Sequence, residues 1–205
     1  MYKNKLKRVI DIIISCGVLI VFSWLYLLII IAIKIDSPGK VFFRQRRVGI
    51  HKTYFQILKF RTMREETPRD MPTHMLKDPD QYITRVGRFL RKTSMDEIPQ
   101  FINILVGDMS MVGPRPALWN QFDLIEERDK YGANDLRPGL TGLAQINGRD
   151  ELEISEKAKL DGYYVEHISF WLDIKCIFNT LFSVLRSDGV VEGGTGTIHK
   201  KGKRN

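Results

Sequence analysis

A chain of 205 residues can form one domain with a sizeable core, but it is too short for two domains of ordinary size. Its formal net charge of +8 favours polyanionic partners, namely nucleic acid, anionic lipid head groups or nucleotide phosphates, and charge alone does not choose among them. The two cysteines, Cys16 and Cys176, have neither the spacing of a disulfide framework nor that of a zinc site. A reducing, cytosol-facing environment is therefore expected.

The first element is an apolar segment that carries no charged residue from Ile12 to Ile33. As a helix it would be roughly 33 Å long, which is enough to cross the hydrocarbon core of a bilayer. It is too long for the apolar part of a signal peptide, and no small-residue cleavage site follows it. A membrane-embedded helix is therefore predicted, and a buried core helix is the alternative.

Basic residues flank this segment on both sides, as expected of loops that face the cytoplasm. They are Lys3, Lys5, Lys7 and Arg8 before it, and Lys34, Lys40, Arg44, Arg46 and Arg47 after it. A plain transmembrane span would break that charge rule at one end, whereas a helix that enters one leaflet, bends and returns would satisfy it at both ends. The flanks thus favour re-entry, with a bend accommodated near Gly17 or Ser23.

A β-hairpin is predicted next, from β-rich runs at Val41 to Phe43 and Tyr54 to Phe60. Residues 64 to 82 hold three prolines and many charges without a period, which indicates a loop, and loops of this length are often mobile covers over sites. A helix over Asp96 to Val106 follows, with one apolar face and a stop at Gly107.

Asp96 and Glu97 stand together where this helix should begin, directly behind three cations. Adjacent acids beside cations are typical of a place that binds a phosphate and a metal ion together. A carboxylate at a helix start also meets free N–H donors and the positive end of the helix dipole, which favours its ionised, nucleophilic form. The alternative is structural, because Ser94 and Glu97 fit a capping box that only satisfies N–H groups at the helix start.

Two turn-rich segments, residues 107 to 116 and 136 to 149, each present arginine among glycine and proline. Such backbone exposes N–H groups beside a guanidinium, which suits phosphate recognition, although an ordinary surface turn with a solvated arginine fits the same composition. A helix over about 117 to 131 separates the two segments. A later amphipathic helix, Ile168 to Leu185, has the aromatic content of a helix that lies either against the core or in a membrane interface.

Ordered short motifs run from about residue 5 to 186. They are Lys7-Arg8-x-x-Asp11, Phe42-Phe43-Arg44-Gln45-x-Arg47-x-Gly49, Lys59-Phe60-Arg61-Thr62-Met63, Ser94-x-Asp96-Glu97-x-Pro99-Gln100, Gly113-Pro114-Arg115-Pro116, Arg137-Pro138-Gly139-x-Thr141-Gly142 and Gln145-x-Asn147-Gly148-Arg149. Their order resembles that of the small monotopic phosphoglycosyl transferases, the bacterial sugar transferase family. One position departs from the family, whose members commonly have Ser-Pro at the break of the membrane helix. This chain has Ser23-Trp24 there, so no proline imposes a bend.

The resemblance implies an enzyme that transfers a sugar 1-phosphate from a UDP-sugar to a polyprenol phosphate, such as undecaprenyl phosphate, and releases UMP. It also implies that Asp96 is the nucleophile that forms a covalent phosphosugar intermediate and is the ligand of a Mg²⁺ cofactor, with Glu97 as an acid/base or orienting group. Arg115 would contact phosphate or nucleotide. Further substrate-binding candidates by motif position are Lys59, Arg61, Arg91, Arg137, Gln145 and Arg149.

The fold that this resemblance implies is α+β and mainly α. Residues 1–36 would form the membrane-associated helix, residues 37–188 a catalytic domain with a small hairpin and interfacial amphipathic helices, and residues 189–205 a disordered basic tail. The expected location is the cytoplasmic face of the bacterial inner membrane, in the first membrane step of glycoconjugate assembly, such as capsule, exopolysaccharide, O-antigen or glycoprotein glycan. Membrane lipid is an expected partner and nucleic acid is not, and further candidate partners are a second copy of the chain and downstream glycosyltransferases. The motifs do not specify the sugar.

Two other functions fit parts of the sequence. A membrane-tethered, metal-dependent phosphodiesterase or nucleotidyl transferase would release a nucleoside monophosphate without a lipid acceptor. A non-enzymatic membrane adaptor or nucleic-acid binder would use its arginines to contact phosphates and the acids only as a helix cap. That last protein would tolerate the change Asp96→Asn, which an enzyme with an Asp96 nucleophile would not.

Overall fold

The structure, a computed structural model, describes residues 2–67, 78–148 and 152–186. After a π-helical turn at Tyr2–Leu6, its helices are α1 (Lys7–Val21), α2 (Ser23–Asp36), α3 (Arg85–Lys92), α4 (Gln100–Val106), α5 (Phe122–Asp129), α6 (Leu143–Ile146), α7 (Ile154–Glu166) and α8 (Phe170–Arg186). Its strands are β1 (Phe42–Val48), β2 (Tyr54–Phe60), β3 (Ser110–Val112) and β4 (Gly139–Thr141). A mainly helical α+β fold with a small hairpin is confirmed.

Helices α1 and α2 form one apolar segment that is bent by 62° between Val21 and Ser23. Neither helix alone has the length and hydropathy of a membrane span, but the pair together has both, in the form of a broken span or of a re-entrant loop. The bend lies beside Ser23, one of the two predicted positions. Large apolar side chains such as Ile20 and Ile35 are exposed, at 73% and 82%, so the buried core-helix alternative does not describe this pair.

Helix α1 is attached to the rest of the fold through charged side chains. The buried Asp11 carboxylate accepts hydrogen bonds from the Ser110 hydroxyl at 2.7 Å and from the Met111 N–H at 3.1 Å. Arg8 donates to the carbonyl oxygens of Ile104 and Leu105, at the end of α4. Because buried charges are costly unless they are hydrogen-bonded, these contacts hold α1 in one position against α4 and β3.

Strands β1 and β2 pair antiparallel, with Phe42 opposite Phe60 and Val48 opposite Tyr54. The predicted hairpin is confirmed, although β1 is longer than its predicted run. Phe60 belongs to a buried cluster with Ile29 and Leu90, so the end of the hairpin packs against both α2 and α3. A second, larger cluster fills the space between the hairpin, α4, the β3–β4 pair, α7 and α8 and contains Ile57, Ile104, Met109, Met111, Val112, Leu143, Tyr164 and Cys176.

Strands β3 and β4 pair in parallel inside the two segments that the sequence predicted only as turns. A Cβ atom on Gly139 would lie 2.1 Å from the backbone nitrogen of Gly113, so the two chains approach as closely as glycine allows. Helix α7 is also absent from the sequence predictions. Strands of this length and a helix whose apolar residues are not confined to one face carry little periodic signal, which explains both omissions.

Several predicted boundaries differ from the structure. The helix predicted from Asp96 consists of a 3₁₀ turn, Met95–Glu97, followed by α4, and it ends at Gly107 as predicted, where φ is +105°. The helix predicted over 117 to 131 is the shorter α5, and the amphipathic helix at the end of the domain is α8. Residues 68–77 of the predicted loop and the predicted tail over 189–205 lie outside the described residues.

Candidate active site

Asp96 and Glu97 lie in the 3₁₀ turn that joins α3 to α4. Ser94, just before the turn, has left-handed backbone with φ of +55°, and its hydroxyl makes no capping hydrogen bond. Pro99 then precedes the first residue of α4. The capping-box alternative is therefore wrong. Both acids are largely buried, with 13% of the Asp96 side chain and 20% of the Glu97 side chain exposed.

Two cations from different parts of the fold converge on these acids. Lys59 projects from β2, and its Nζ lies 2.7 Å from Oε1 of Glu97 and 3.8 Å from Oδ2 of Asp96. Arg115 comes from the loop after β3, and its Nη2 lies 2.9 Å from the same Glu97 oxygen. The structure thus brings Lys59 and Arg115 to the two acids, and their contact with substrate stays a prediction.

The two carboxyl groups have opposite pKa shifts. Burial by itself raises the pKa of Glu97, but the charges of Lys59 and Arg115 and their hydrogen bonds outweigh burial, so the pKa of Glu97 lies well below its usual range. Burial raises the pKa of Asp96, and the negative charge of Glu97 adds to that rise, while Lys59, Arg91 and Arg115 oppose it. Glu97 is therefore the ionised member of the pair, and Asp96 is the one held closer to its neutral form.

This result corrects one prediction about Asp96. The sequence predicted that a helix N-terminus would favour its ionised form, but Asp96 lies in the 3₁₀ turn and not in the first turn of α4. Burial raises its pKa because water no longer solvates the charge. The positive charges of Lys59, Arg91 and Arg115 oppose this rise but do not cancel it. A further positive charge at Asp96 would restore the ionised form.

Arg91 is also near the acids. It lies on the last turn of α3, its Nε donates to the Thr62 hydroxyl at 2.9 Å, and its charge lowers the pKa of Asp96. The structure therefore places Arg91 beside the acids as a source of positive potential.

Two other predicted arginines have different tasks. The buried Arg61 donates to the carbonyl oxygens of Pro38 and Ser37, at 2.6 and 2.8 Å, and so holds the chain that leaves α2. Arg137 donates to the carbonyl oxygen of Gly107 at 2.9 Å, which is the opposite end of α4 from Asp96. The structure does not bring either guanidinium to the acids.

Two further predicted site residues are Gln145 and Arg149. Among the residues that the structure describes, the buried amide nitrogen and oxygen of Gln145 have no hydrogen-bond partner, and they lie next to Gly142 in the segment after β4. Arg149 lies outside the described residues. Their predicted substrate contacts stay predictions.

Sequence reasoning missed the ion pair that supports Arg115. Arg128 on α5 donates from Nη1 to the backbone oxygen of Arg115 at 2.9 Å, and from Nε to Oδ2 of Asp161 on α7 at 2.8 Å. Both partners of the pair are almost fully buried. Charged residues on helices are ordinarily solvated, so no motif or spacing could have identified this pair.

A surface groove between α7 and α8 has a volume of about 490 Å³. It is lined by side chains that include His167, Trp171 and Lys175, and by none of the site residues that the sequence predicted. Charge and burial, and not the size of a cavity, therefore identify the turn with Asp96 and Glu97 as the candidate active site.

The donor set at the turn fits a magnesium ion that is shared with a substrate. No three acidic, histidine or cysteine side chains come together as a metal cage in the described ranges. Mg²⁺ does not need such a cage, because it binds through one or two carboxylates plus the phosphate oxygens of a substrate. Asp96 fits this mode, since Glu97 is already paired with two cations and a further cation would stabilise the ionised form of Asp96.

Comparison with known proteins identifies several sugar transferases that are similar to this chain. The chain is 40% identical over 185 residues to an uncharacterized sugar transferase, EpsL, of Bacillus subtilis, with 90% of both chains covered. It is 41% identical to the UDP-glucose:undecaprenyl-phosphate glucose-1-phosphate transferase of Caulobacter vibrioides, over 89% of this chain and 70% of that protein. It is 36% identical to the undecaprenyl-phosphate galactose phosphotransferase of Salmonella typhimurium, over 90% of this chain but only 41% of that protein.

The family model described as bacterial sugar transferase matches residues 2–187. That range contains the bent helix pair, the hairpin and the turn with its two acids. A match over nearly the whole chain, and relatives at least 40% identical of which the chain covers 90% and 70%, agree with the order of motifs in the sequence. The chain therefore belongs to the bacterial sugar transferase family.

Proposed function

We propose that this protein transfers a sugar 1-phosphate from a UDP-sugar to a polyprenol phosphate such as undecaprenyl phosphate, through a covalent intermediate on Asp96. The observation that carries the proposal is the position of Asp96 and Glu97 between Lys59 and Arg115 in one largely buried turn. The names of the Caulobacter and Salmonella relatives, which act on undecaprenyl phosphate, support the same substrates.

In the first step, a carboxylate oxygen of Asp96 attacks the sugar-bearing phosphorus of the UDP-sugar. A new oxygen–phosphorus bond forms, the bond from that phosphorus to the bridging oxygen breaks, and UMP leaves with the electron pair. Lys59 and Arg115 stand where they can neutralise charge on the phosphate oxygens and on the leaving group. Electrostatic stabilisation of this kind dominates phosphoryl transfer, since little other chemistry is required of the protein.

Glu97 acts as an orienting group in this scheme. Its pKa is lowered by Lys59 and Arg115 against the effect of burial, so it stays ionised and is a weak base. It holds both cations within 3 Å of one oxygen, at 2.7 and 2.9 Å. Of the two roles that the resemblance left open for Glu97, orientation of the cations agrees better with this geometry than acid/base catalysis.

In the second step, a phosphate oxygen of the polyprenol phosphate attacks the phosphorus of the intermediate. A diphosphate bond forms and the Asp96 carboxylate is released. This acceptor is held in a bilayer, and exposed apolar side chains on α1 and α2 with basic residues at both ends of the pair suit a re-entrant insertion from the cytoplasmic face. The location proposed is therefore the cytoplasmic side of the bacterial inner membrane, in the assembly of exopolysaccharide or another glycoconjugate.

Mg²⁺ is the proposed cofactor, held by Asp96 together with the diphosphate of the substrate. When bound, it would supply positive charge to the phosphate oxygens. The raised pKa of Asp96 supports this assignment, because a carboxyl group that burial keeps near its neutral form gains most from an added cation.

The test is UMP release measured in the absence and in the presence of a lipid acceptor. With a panel of UDP-sugars and Mg²⁺ but no acceptor, we expect one burst of about one UMP per enzyme. The sugar phosphate should then be found on Asp96 by mass spectrometry of the digested protein, and polyprenol phosphate should allow continuous turnover. Asp96→Asn should abolish the burst, while Asp135→Asn, at an exposed aspartate elsewhere, should retain it.

Each other function predicts a different result. Continuous UMP release without an acceptor would indicate a phosphodiesterase and overturn the proposal. Near-normal turnover in the Asp96→Asn variant would contradict the nucleophile. No release from any UDP-sugar in the panel would favour the non-enzymatic adaptor.

A further inference from the structure

The second helix of the bent pair contacts the catalytic turn directly. The hydroxyl of Tyr26, one helical turn beyond the bend, donates to the carbonyl oxygen of Ile98 at 2.7 Å. Ile98 immediately follows Glu97 and ends the 3₁₀ turn that carries both acids. A side chain of the apolar helix pair is therefore bonded to the residue next to the proposed catalytic pair.

The bend between α1 and α2 forms without proline, so its angle needs another cause. Helix α1 is held by Arg8 and Asp11, and the far end of α2 is held by Asp36, which accepts from the Val86 N–H at 2.9 Å. Within the described part of the chain, the Tyr26 hydroxyl makes the side-chain hydrogen bond of α2 that lies nearest the bend. Contacts on both helices thus impose the angle, and Tyr26 connects that angle to the catalytic turn.

The surroundings of Tyr26 separate the role of its ring from that of its hydroxyl. Its ring centroid lies 5.3 Å from that of Phe60, which in turn stacks on Phe42 at 5.5 Å. This packing would keep a phenylalanine ring in place at position 26. The hydroxyl is half-buried, and a partly desolvated hydroxyl strongly favours keeping its one described acceptor.

We propose that Tyr26 is a positioning residue. Its hydroxyl fixes the distance of Asp96 and Glu97 from the membrane-associated helix pair, and so aligns the two acids with a phosphate carried by a lipid. This inference rests on the proposed function. The UDP-sugar arrives from water and meets Lys59 and Arg115. The hairpin holds Lys59 and the loop after β3 holds Arg115, and neither depends on the Tyr26 hydroxyl. The lipid phosphate arrives at the level of the bilayer, so its transfer step depends on the distance between the helix pair and the turn.

The test compares two acceptors in the Tyr26→Phe variant, with full-length protein in lipid bilayers. One acceptor is a long-chain polyprenyl phosphate held in the bilayer, and the other is a short-chain prenyl phosphate dispersed in water. The size of the UMP burst without acceptor counts the folded active sites and normalises every rate. We expect the burst rate and the rate with the short-chain acceptor to stay within about twofold of wild type. The rate with the bilayer acceptor should fall about tenfold. This is a smaller loss than the one on the order of 10²-fold that a misplacement of ~1 Å can cause.

Tyr2→Phe is the matched control, because the Tyr2 hydroxyl also donates to one acceptor, Oδ2 of Asp173 at 2.6 Å. Asp173 lies on α8, which does not carry the acids. The control variant should leave the ratio of the two acceptor rates unchanged. Equal loss with both acceptors in Tyr26→Phe, or no loss with either, would overturn the positioning role. A wild-type protein that gives no UMP burst would instead refute the proposed function, so the two failures are distinguishable.

Discussion

Arg128 donates a hydrogen bond to the backbone oxygen of Arg115 at 2.9 Å. The buried guanidinium of Arg128 therefore fixes the backbone of Arg115, whose own side chain is partly exposed. Asp161 holds Arg128 from the other side, with 2.7 Å between Oδ2 and Nη2. Burial raises the pKa of Asp161 while Arg128 opposes that rise, as expected of a buried pair in which each charge depends on the other. The arginine that meets Glu97 is therefore placed by two helices, α5 and α7, that do not themselves reach the acids.

Removal of Arg128 should separate stability from activity. Arg128→Met should lower the free energy of unfolding by about 3 to 5 kcal/mol, because Asp161 is left as an unpaired buried charge. The double variant Arg128→Met with Asp161→Leu removes both charges and should recover most of that loss. Its UMP release should still be about tenfold below wild type, since the backbone of Arg115 has lost its donor.

Urea unfolding and UMP release on the same samples measure both effects. A double variant with wild-type release would show that Arg128 is not needed to place Arg115. A double variant as unstable as the single one would show that the buried pair is not the source of the loss.

Asp96 should reduce stability at neutral pH, as a carboxyl group whose pKa is raised in the folded state does. Such a group costs no stability below its unfolded pKa, where it is neutral in both states, and its cost grows as the pH rises from the unfolded pKa to the folded pKa and is constant above that. Asp96→Asn removes the charge, so this variant should melt at a higher temperature than wild type at pH 7 to 8. The difference should shrink as the pH is lowered toward about 4, the usual pKa of an aspartate, because the unfolded chain then also takes up the proton.

Thermal unfolding across that pH range, without Mg²⁺ or substrate, is the measurement. Asp135→Asn serves as the control, because Asp135 is 71% exposed and should show no such pattern. A variant that is less stable than wild type at every pH would contradict the raised pKa of Asp96.

Arg61 and Arg115 should respond differently to the same change, although both belong to family motifs. Arg61→Ala should lower the free energy of unfolding by about 2 to 4 kcal/mol, since backbone acceptors at Ser37 and Pro38 lose a buried charged donor. The KM of the folded enzyme for the UDP-sugar should not change. Arg115→Ala should instead raise that KM by about tenfold or more with little loss of stability, because the side chain is 44% exposed.

Unfolding curves and initial rates on matched preparations test this pair of variants. If Arg61→Ala raises KM as much as Arg115→Ala does, Arg61 contacts substrate after all, and its bonds to the chain after α2 are not its main task.

The sequence predicted the members of the site better than their individual roles. Lys59, Asp96, Glu97 and Arg115 were all named from motif order, and the structure brings them together. Arg61 shares the same motif as Lys59 but is bonded to the chain after α2. Lys59 lies in β2, whereas Arg61 follows the last residue of that strand, Phe60, so a motif gives proximity in the chain and not the direction of a side chain.

Secondary structure followed the same division. The hairpin and the presence of the apolar segment and of α8 were predictable because turn residues and apolar periodicity are local signals. Strands β3 and β4 were not, because each exists only through pairing with a segment more than 25 residues away. The pairing also explains why turn-rich sequence on both sides was read as turns alone.

The order of polar and apolar residues by itself determined that this chain has an apolar helical segment with basic flanks, a hairpin, and two acids set among cations. Those properties are local, so they follow from composition and spacing. Only the tertiary structure decided that Glu97 is the ionised acid, that Asp96 has a raised pKa, and that Tyr26 ties the bent helix pair to their turn. A pKa depends on burial and on charges brought from distant elements, and a hydrogen bond between residues 26 and 98 exists only once the chain has folded.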